Sequence, residues 1–223
     1  MTPEGSFVVE FFGEGKTDIG EEDASTRPMQ GVVPILVHAL CGKPGRMIAK
    51  RTPMLQLQER GLARKVRFAK RLARRRKSAA AVFVVDTEGD LRVLKAKKAD
   101  LEQGRNAESP DFPMAVGVAQ PCIEAWLLAD ASAIRRAFDM PAAPGVPAEP
   151  EKCPAPCQNQ KDNPKTILAR IVGLKRRLSA EENWRIAAAM NDMGIVRTRC
   201  PASFAPLADE VEARIRPLFS KSG

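Results

Sequence analysis

Acidic residues follow three apolar segments of the chain, close to the point where each segment ends. Glu14, Asp86 and Glu124 come after such segments, and Glu88 and Asp90 lie just beyond Asp86. Clustered carboxylates repel each other, and a divalent cation is what usually makes such clustering tolerable. The chain has one histidine, so an all-oxygen site favours Mg²⁺ or Mn²⁺ over zinc. The alternative is that these acids are solvated and unrelated.

Parallel strands would bring these acids to one edge. Ser6–Phe12, Ala80–Val85 and Phe112–Ala119 are short apolar runs typical of buried strands, and helical patterns alternate with them. The alternation predicts an α/β fold, with a parallel sheet flanked by helices. In such sheets ligands bind beyond the carboxyl ends of the strands, which is where the acids fall. We expect Cys41–Lys50 to be a loop.

The composition changes near residue 140, where a segment rich in proline, alanine and polar residues begins. We therefore divide the chain into three parts. These are an α/β domain over residues 1–139, a Pro-rich linker or loop over residues 140–163, and a helical C-terminal extension, packed on the first domain, over residues 164–223.

A long basic segment covers Pro53–Lys77. Its apolar residues recur at helical spacing, and Glu59 is its only acidic residue. The chain has a net charge of +9 and a pI of about 9.6. Nucleic acid is therefore the leading partner class, a membrane surface the second, and an unspecific basic surface the alternative. We expect nucleic-acid contacts from Lys16, Arg64, Lys65, Arg67, Lys70, Arg71, Arg74 and Arg75.

Other sites fit the sequence less well. Gly15-Lys16-Thr17 resembles the end of a phosphate-binding loop, but that motif needs glycine where the chain has Glu10. A dinucleotide fingerprint needs Gly or Ala where the chain has Asp18. Cys153 and Cys157 have a plausible spacing for zinc but no second Cys or His pair nearby.

Several further residues have a structural interpretation. We expect His38, Trp126 and Trp184 to be packed residues, not a base or stacking platforms. Lys95, Lys97 and Lys98 either help to bind phosphate near Asp86 or form a solvated helix face. The five cysteines are expected to be reduced. No apolar run approaches the roughly 20 residues of a membrane span, and we expect a cytoplasmic protein.

Five segments together resemble a known family: Val8–Asp18, Val84–Asp90, Gln120–Asp130, Asn163–Lys165 and Cys200–Phe204. They are similar to the DUF4276 family of Toprim-like proteins, which is related to the nucleases of the OLD type. The Glu-Ala-Trp-Leu-Leu-Ala-Asp part of the third segment is the most specific. The resemblance implies a Toprim-like sheet with a helical C-terminal extension.

The same resemblance implies roles for the acids. Glu14 would act as general acid or base and could contact metal. Asp86 would bind Mg²⁺ or Mn²⁺ with a partner two positions on, which is Glu88 here in place of aspartate. Either Glu88 or Asp90 would complete that site. Two further acids would make a two-metal centre possible: Asp18 and Glu124.

A metal-dependent nuclease, which cleaves the phosphodiester bonds of DNA or RNA, is the function we expect. Metal ions would activate water and stabilise the leaving oxygen, while the basic helix holds the polyanion. The resemblance further implies a role in bacterial anti-phage defence and an ATPase partner protein. The first alternative is a non-catalytic nucleic-acid-binding or regulatory subunit of a defence complex. A second is another phosphoryl transfer, such as nucleotide polymerisation.

Overall fold

Four parallel strands form the centre of the fold. The computed structural model describes residues 6–20, 29–57, 59–107 and 111–220. Within these ranges the strands are β1 (Phe7–Gly13), β2 (Met47–Pro53), β3 (Ala80–Asp86) and β4 (Met114–Ala119). Their order is β2-β1-β3-β4, and each neighbouring pair is parallel. The predicted α/β class, a parallel sheet flanked by helices, is confirmed.

Helices cover both faces of this sheet, as parallel sheets require. In the described ranges they are α1 (Lys16–Ile19), α2 (Val32–Leu40), α3 (Leu62–Arg75), α4 (Leu91–Asn106), α5 (Glu124–Leu128), α6 (Ala131–Ala137), α7 (Pro164–Ile171), α8 (Ala180–Ala189), α9 (Met193–Arg199), α10 (Phe204–Arg214) and α11 (Pro217–Ser220). None of the described helices combines the length and the apolar content that a membrane span needs.

Alternation along β3 separates two apolar layers. Phe83 and Val85 pack with residues of α3 and α4, whereas Val82 and Val84 pack with residues of α2, α5, α8 and α10. Since side chains alternate along a strand, Asp86 points to the same face as Val84. The alternation therefore directs this acid towards the layer that contains α5.

The prediction of a loop over Cys41–Lys50 is wrong for its last four residues, because β2 begins at Met47. Its sequence, Met-Ile-Ala-Lys-Arg-Thr-Pro, carries charged residues and ends in proline, which masks the strand pattern. The strand lies at an edge of the sheet, where such residues are tolerated. Arg51 on this strand is nevertheless buried.

The basic helix is shorter than the sequence predicts. Residues Met54–Gln56 form a short 3-10 turn, and α3 begins only after Gly61, whose φ of 84° suits glycine. A close approach then fixes α3 against α4. A Cβ added to Gly104 would lie 2.4 Å from the carbonyl oxygen of Ala63, so only glycine allows this contact.

The C-terminal helices share the core with the sheet. Trp126 on α5 is fully buried, and its indole N–H donates a hydrogen bond of 2.7 Å to the hydroxyl of Ser203. A Cβ added to Gly117 on β4 would lie 2.9 Å from a methyl carbon of Leu207, so α10 lies directly on the strand. The division of the chain at residues 139 and 163 stays a prediction.

Candidate metal and nucleic-acid site

The ends of β1 and β3 bring Glu14 and Asp86 together. The two strands are adjacent, with Phe12 opposite Phe83. Glu14 follows the last residue of β1, and the backbone of Asp86 hydrogen-bonds to its carboxylate. Asp86 is the last residue of β3, and its side chain is 6% exposed. These two acids therefore meet at the carboxyl edge of the sheet.

Asp18 joins them because the chain folds back directly after Glu14. A Cβ added to Gly13 would lie 2.6 Å from a methyl carbon of Ile19, so glycine allows α1 to pack against the end of β1. Helix α8 supports α1 from the other side, since the indole N–H of Trp184 donates a hydrogen bond of 3.0 Å to the carbonyl of Thr17.

Glu124 is the fourth acid of this group, and it is buried at the start of α5. The turn before α5 is attached to β3, because the amide of Ile123 donates a hydrogen bond of 3.1 Å to Oδ1 of Asp86. Glu14, Asp18, Asp86 and Glu124 are called the carboxylate cluster below.

Burial and mutual repulsion dominate the electrostatics of the carboxylate cluster. Burial, and then the charges of Glu124 and Glu14, raise the pKa of Asp18 to about 7. Burial, and then Asp18, Glu124 and Glu14, raise the pKa of Asp86 well above its usual range. Burial also raises the pKa of Glu14, although Lys97 opposes this effect. The cluster thus gathers more negative charge than it can easily hold.

Two lysines lie against the cluster and offset part of its charge. The Lys97 ammonium donates a hydrogen bond of 2.6 Å to the backbone carbonyl of Asp86. The Lys165 ammonium is 4.0 Å from Oε2 of Glu124. Burial alone would lower the pKa of Lys165, but Glu124, Cys122 and Asp86 outweigh it and raise that pKa.

Sequence reasoning missed Lys165 as a site residue and gave Lys97 only an open role. The signal for Lys165 lies in its helix start. Asn163 caps α7 by accepting a hydrogen bond of 3.1 Å from the amide of Thr166, and Pro164 occupies the first turn. A residue fixed at the start of α7 in this way keeps its position relative to α5. Lys95 is exposed, and Lys98 donates a hydrogen bond of 2.6 Å to the carbonyl of Ala202.

The structure separates the two residues that could complete the site after Asp86. Glu88 is exposed at a φ of 51°, and its charge raises the pKa of the Glu14 carboxyl. Asp90 caps α4, accepting from the amide of Arg92 at 2.9 Å and from the amide of Val93 at 3.2 Å. Hydrogen bonds from the Arg92 side chain and these amides lower the pKa of Asp90. The geometry therefore favours Glu88 as the acid next to the cluster.

The donor set of the cluster is all oxygen and matches Mg²⁺ or Mn²⁺ in chemistry. Across residues 6–20, 29–57, 59–107 and 111–220, however, no three Asp, Glu, His or Cys side chains are already arranged to hold an ion. The oxygen donors available to an ion at this position are those of Glu14, Asp18, Asp86 and Glu124, with Glu88 at the rim. Cys153 and Cys157 are free thiols, and they belong to no group of three such ligands among the described residues.

A groove lies between Glu14 and the start of the basic helix. This groove has a volume of about 210 Å³, and its walls include Glu14, Lys97 and Lys65. Arg64, Arg71, Arg74 and Arg75 on α3 are exposed, and Lys65 and Arg67 are partly exposed. A polyanion that contacts Lys65 at the start of α3 would therefore also reach the groove beside Glu14.

Two of the predicted nucleic-acid contacts have other partners in the structure. Lys70 is 2% exposed, and its ammonium donates a hydrogen bond of 2.8 Å to the carbonyl of Arg105 on α4, so the prediction for Lys70 is wrong. It lies on the apolar side of α3, where its stem fills the α3–α4 contact. Lys16 is half-exposed and forms an ion pair of 2.8 Å with Glu181 on α8. A nucleic-acid contact of Lys16 stays a prediction.

The aromatic and histidine predictions concern packing. Trp126 and Trp184 are buried, as expected. His38 is partly buried on α2, and its Nε2 lies 3.2 Å from the carbonyl oxygen of Pro44. None of these three residues is among those that shape the carboxylate cluster's electrostatics.

Comparison with known proteins adds one finding. A family model, described as a domain of unknown function (DUF4276), matches residues 30–212. The chain belongs to the DUF4276 family. The match includes Asp86, Glu124 and Lys165, while Glu14 and Asp18 of this DUF4276 protein precede it. No curated protein and no solved structure matches the chain.

Proposed function

We propose that this DUF4276 protein is a Toprim-like nuclease that uses Mg²⁺ or Mn²⁺ to cleave phosphodiester bonds of DNA or RNA. The convergence of the carboxylate cluster carries the proposal. Its members come from three separate stretches of sequence, yet at one edge of a parallel sheet the charges of Glu124 and Glu14 raise the pKa values of both Asp18 and Asp86. Ligands of open parallel sheets bind at that edge.

A bound Mg²⁺ or Mn²⁺ would polarise the phosphoryl group and lower the pKa of a water molecule at this edge. Side chains of the protein would carry out the proton transfer, the charge stabilisation and the binding of the strand. Glu14 is partly exposed and lines the groove, so it can accept the proton of the attacking water. Lys97 and Lys165 offset the charge that develops on the phosphoryl oxygens. The basic residues of α3 bind the flanking phosphates.

One observation favours a second candidate, a non-catalytic nucleic-acid-binding subunit. Lys97 and Lys165 already contact the site and supply positive charge there without a metal ion. Such a subunit would keep the basic surface of α3 and would need no cation. The anti-phage setting, the ATPase partner and the alternative of nucleotide polymerisation stay predictions.

Cleavage assays with matched binding assays separate these candidates. Single- and double-stranded DNA and RNA are incubated with the protein and Mg²⁺, Mn²⁺ or EDTA. We expect products only with a cation, and Glu14→Gln or Asp86→Asn should slow cleavage by about 100-fold or more. Binding of the nucleic acid should remain. Glu102→Gln, which changes an exposed carboxylate of α4, is the control.

The opposite result is equally clear. If the unchanged protein and Glu14→Gln bind nucleic acid equally well, and neither gives product with Mg²⁺ or Mn²⁺, the nuclease proposal is overturned. That result would support the binding subunit. Consumption of nucleoside triphosphates would instead support polymerisation.

A further inference from the structure

A second cavity begins at the turn that follows Asp86. It has a volume of about 600 Å³, and its wall includes Gly89 and Asp90, which directly follow Glu88. The same short turn therefore borders both the proposed catalytic site and this cavity. Volumes of this size are typical of small-molecule sites.

The wall of the cavity is largely apolar. Leu91 contributes a side chain that is 64% exposed, although leucine side chains usually avoid water. The other apolar wall residues are Ala148, Cys153, Pro154, Pro201 and Ala202. This surface suits a flat, weakly polar group.

Charged residues of the wall already have partners within the described part of the chain. The pairs are Asp90 with Arg92, Glu149 with Lys152 at 2.6 Å, Glu151 with the amides of Ala202 and Ser203 at 2.8 and 2.6 Å, and Arg199 with the carbonyl of Ala129 at 2.8 Å. The cavity therefore offers little to a phosphate or a carboxylate, and a neutral group suits it better.

Among the described residues, one buried side-chain polar atom of the wall has no hydrogen-bond partner. Gln120 is 4% exposed, and its Nε2 donates a hydrogen bond of 3.0 Å to the carbonyl of Gly89. Because that carbonyl only accepts, the amide orientation is fixed. Oε1 of Gln120 is buried and has no hydrogen-bond partner among the described residues. Buried acceptors without a donor are uncommon in folded proteins, so an N–H group that reaches this atom from the cavity would satisfy it.

We propose that the cavity binds an unpaired nucleobase with an exocyclic amino group, namely adenine, cytosine or guanine. The ring would lie against the apolar wall, and a small shift of the Gln120 side chain would let the amino group donate to its Oε1. The inference rests on the proposed function, because the base belongs to the strand that reaches the carboxylate cluster. It makes the substrate a single strand, or a strand with a base turned out of the duplex.

Nucleoside binding tests this proposal apart from cleavage. Adenosine and ribose 5-phosphate are titrated into the protein, and NMR follows the Leu91 methyl groups and the Gln120 side-chain amide. We expect adenosine alone to shift these signals. Ala148→Phe, which fills the cavity, should weaken adenosine binding at least tenfold. Ala143→Phe, on an exposed part of the same segment outside the cavity wall, is the matched control.

Thermal melts show first that both phenylalanine variants are folded. Absence of shifts at Leu91 and Gln120, or equal adenosine binding by Ala148→Phe and the unchanged protein, would overturn the base site. If cleavage is nevertheless observed, the proposed nuclease function stands without the base site. Adenosine binding without cation-dependent cleavage would instead support the base site and overturn the nuclease.

Discussion

The backbone amide of Ile123 donates a hydrogen bond to Oδ1 of Asp86, so the turn before α5 is attached to the end of β3. This bond has two effects. It fixes one oxygen of Asp86 and leaves the other for a ligand. It also holds Glu124, the next residue, against the same strand end. The bond therefore connects the neighbourhoods of two acids that are 38 positions apart along the chain.

The stability of the protein should depend on the charge of Asp18. The pKa of Asp18 is about 7 in the folded state and near the ordinary value of 3.8 in the unfolded chain. The folded state therefore binds this proton more tightly. The corresponding stability is fully present below about pH 4 and is lost as the pH rises through about 7. Asp18→Asn should therefore melt higher than the unchanged protein at pH 8.

The difference between the two proteins should be about 1–3 kcal/mol at pH 8, with roughly 2–4 °C in Tm for each kcal/mol. It should shrink towards pH 5. Thermal melts without divalent cations, from pH 5 to pH 8, measure it. Asp100→Asn, an exposed acid of α4, should show no such trend. Parallel curves for Asp18→Asn and the unchanged protein would contradict the assignment of the raised pKa.

Glu88 and Asp90 should differ in their effect on metal binding. Glu88→Gln removes a charge next to Glu14 and should weaken Mn²⁺ binding by about tenfold. Asp90→Asn keeps a good helix cap and should change the Kd less than twofold. Calorimetric titration with Mn²⁺ measures both. The reverse order of effects would assign the site to Asp90.

Substitutions of two basic residues of α3 should have different effects, one on stability and the other on nucleic-acid binding. Lys70→Ala leaves the carbonyl of Arg105 without its donor and should cost about 1–3 kcal/mol in urea unfolding. The salt dependence of nucleic-acid binding should stay the same. Arg64→Ala should leave stability nearly unchanged and reduce the slope of log K against log salt by about 1. A smaller slope for Lys70→Ala would show that its ammonium reaches the polyanion.

Gly104→Ala should destabilise the protein, although alanine favours helices more than glycine does. The added methyl group would meet the Ala63 carbonyl at 2.4 Å and Cβ of Val66 at 2.7 Å, which forces α3 and α4 apart. We expect a loss of about 2–4 kcal/mol in urea unfolding. Ala99→Gly, at an exposed position of α4, should cost only about 1 kcal/mol. A gain in stability from Gly104→Ala would contradict the close contact.

Much of the sheet and the meeting of the acids could be predicted from the sequence, because both follow from strong local patterns. The runs around Phe12, Val84 and Val118 are apolar enough to identify strands, and parallel strands place the acids at one edge. Strand β2 escaped prediction because Lys50 and Arg51 interrupt its pattern, and only its pairing with β1 makes it a strand.

Long-range contacts could not be predicted in this way. The spacing of Lys70 from Val66 and Ala73 places it on the apolar side of α3, but the contact with Arg105 depends on how α4 packs there. The position of Lys165 depends on how α7 packs against α5, which no periodicity encodes. Asp90 carries a carboxylate, as a metal ligand does, but its spacing to Val93 is that of a helix cap.

The contact between Trp184 and Thr17 spans 167 positions of the sequence. A chain still under synthesis therefore lacks the α8 support of its Asp18 segment until the ribosome has passed position 184. For the proposed nuclease, Asp18 would therefore gain this support only late in synthesis.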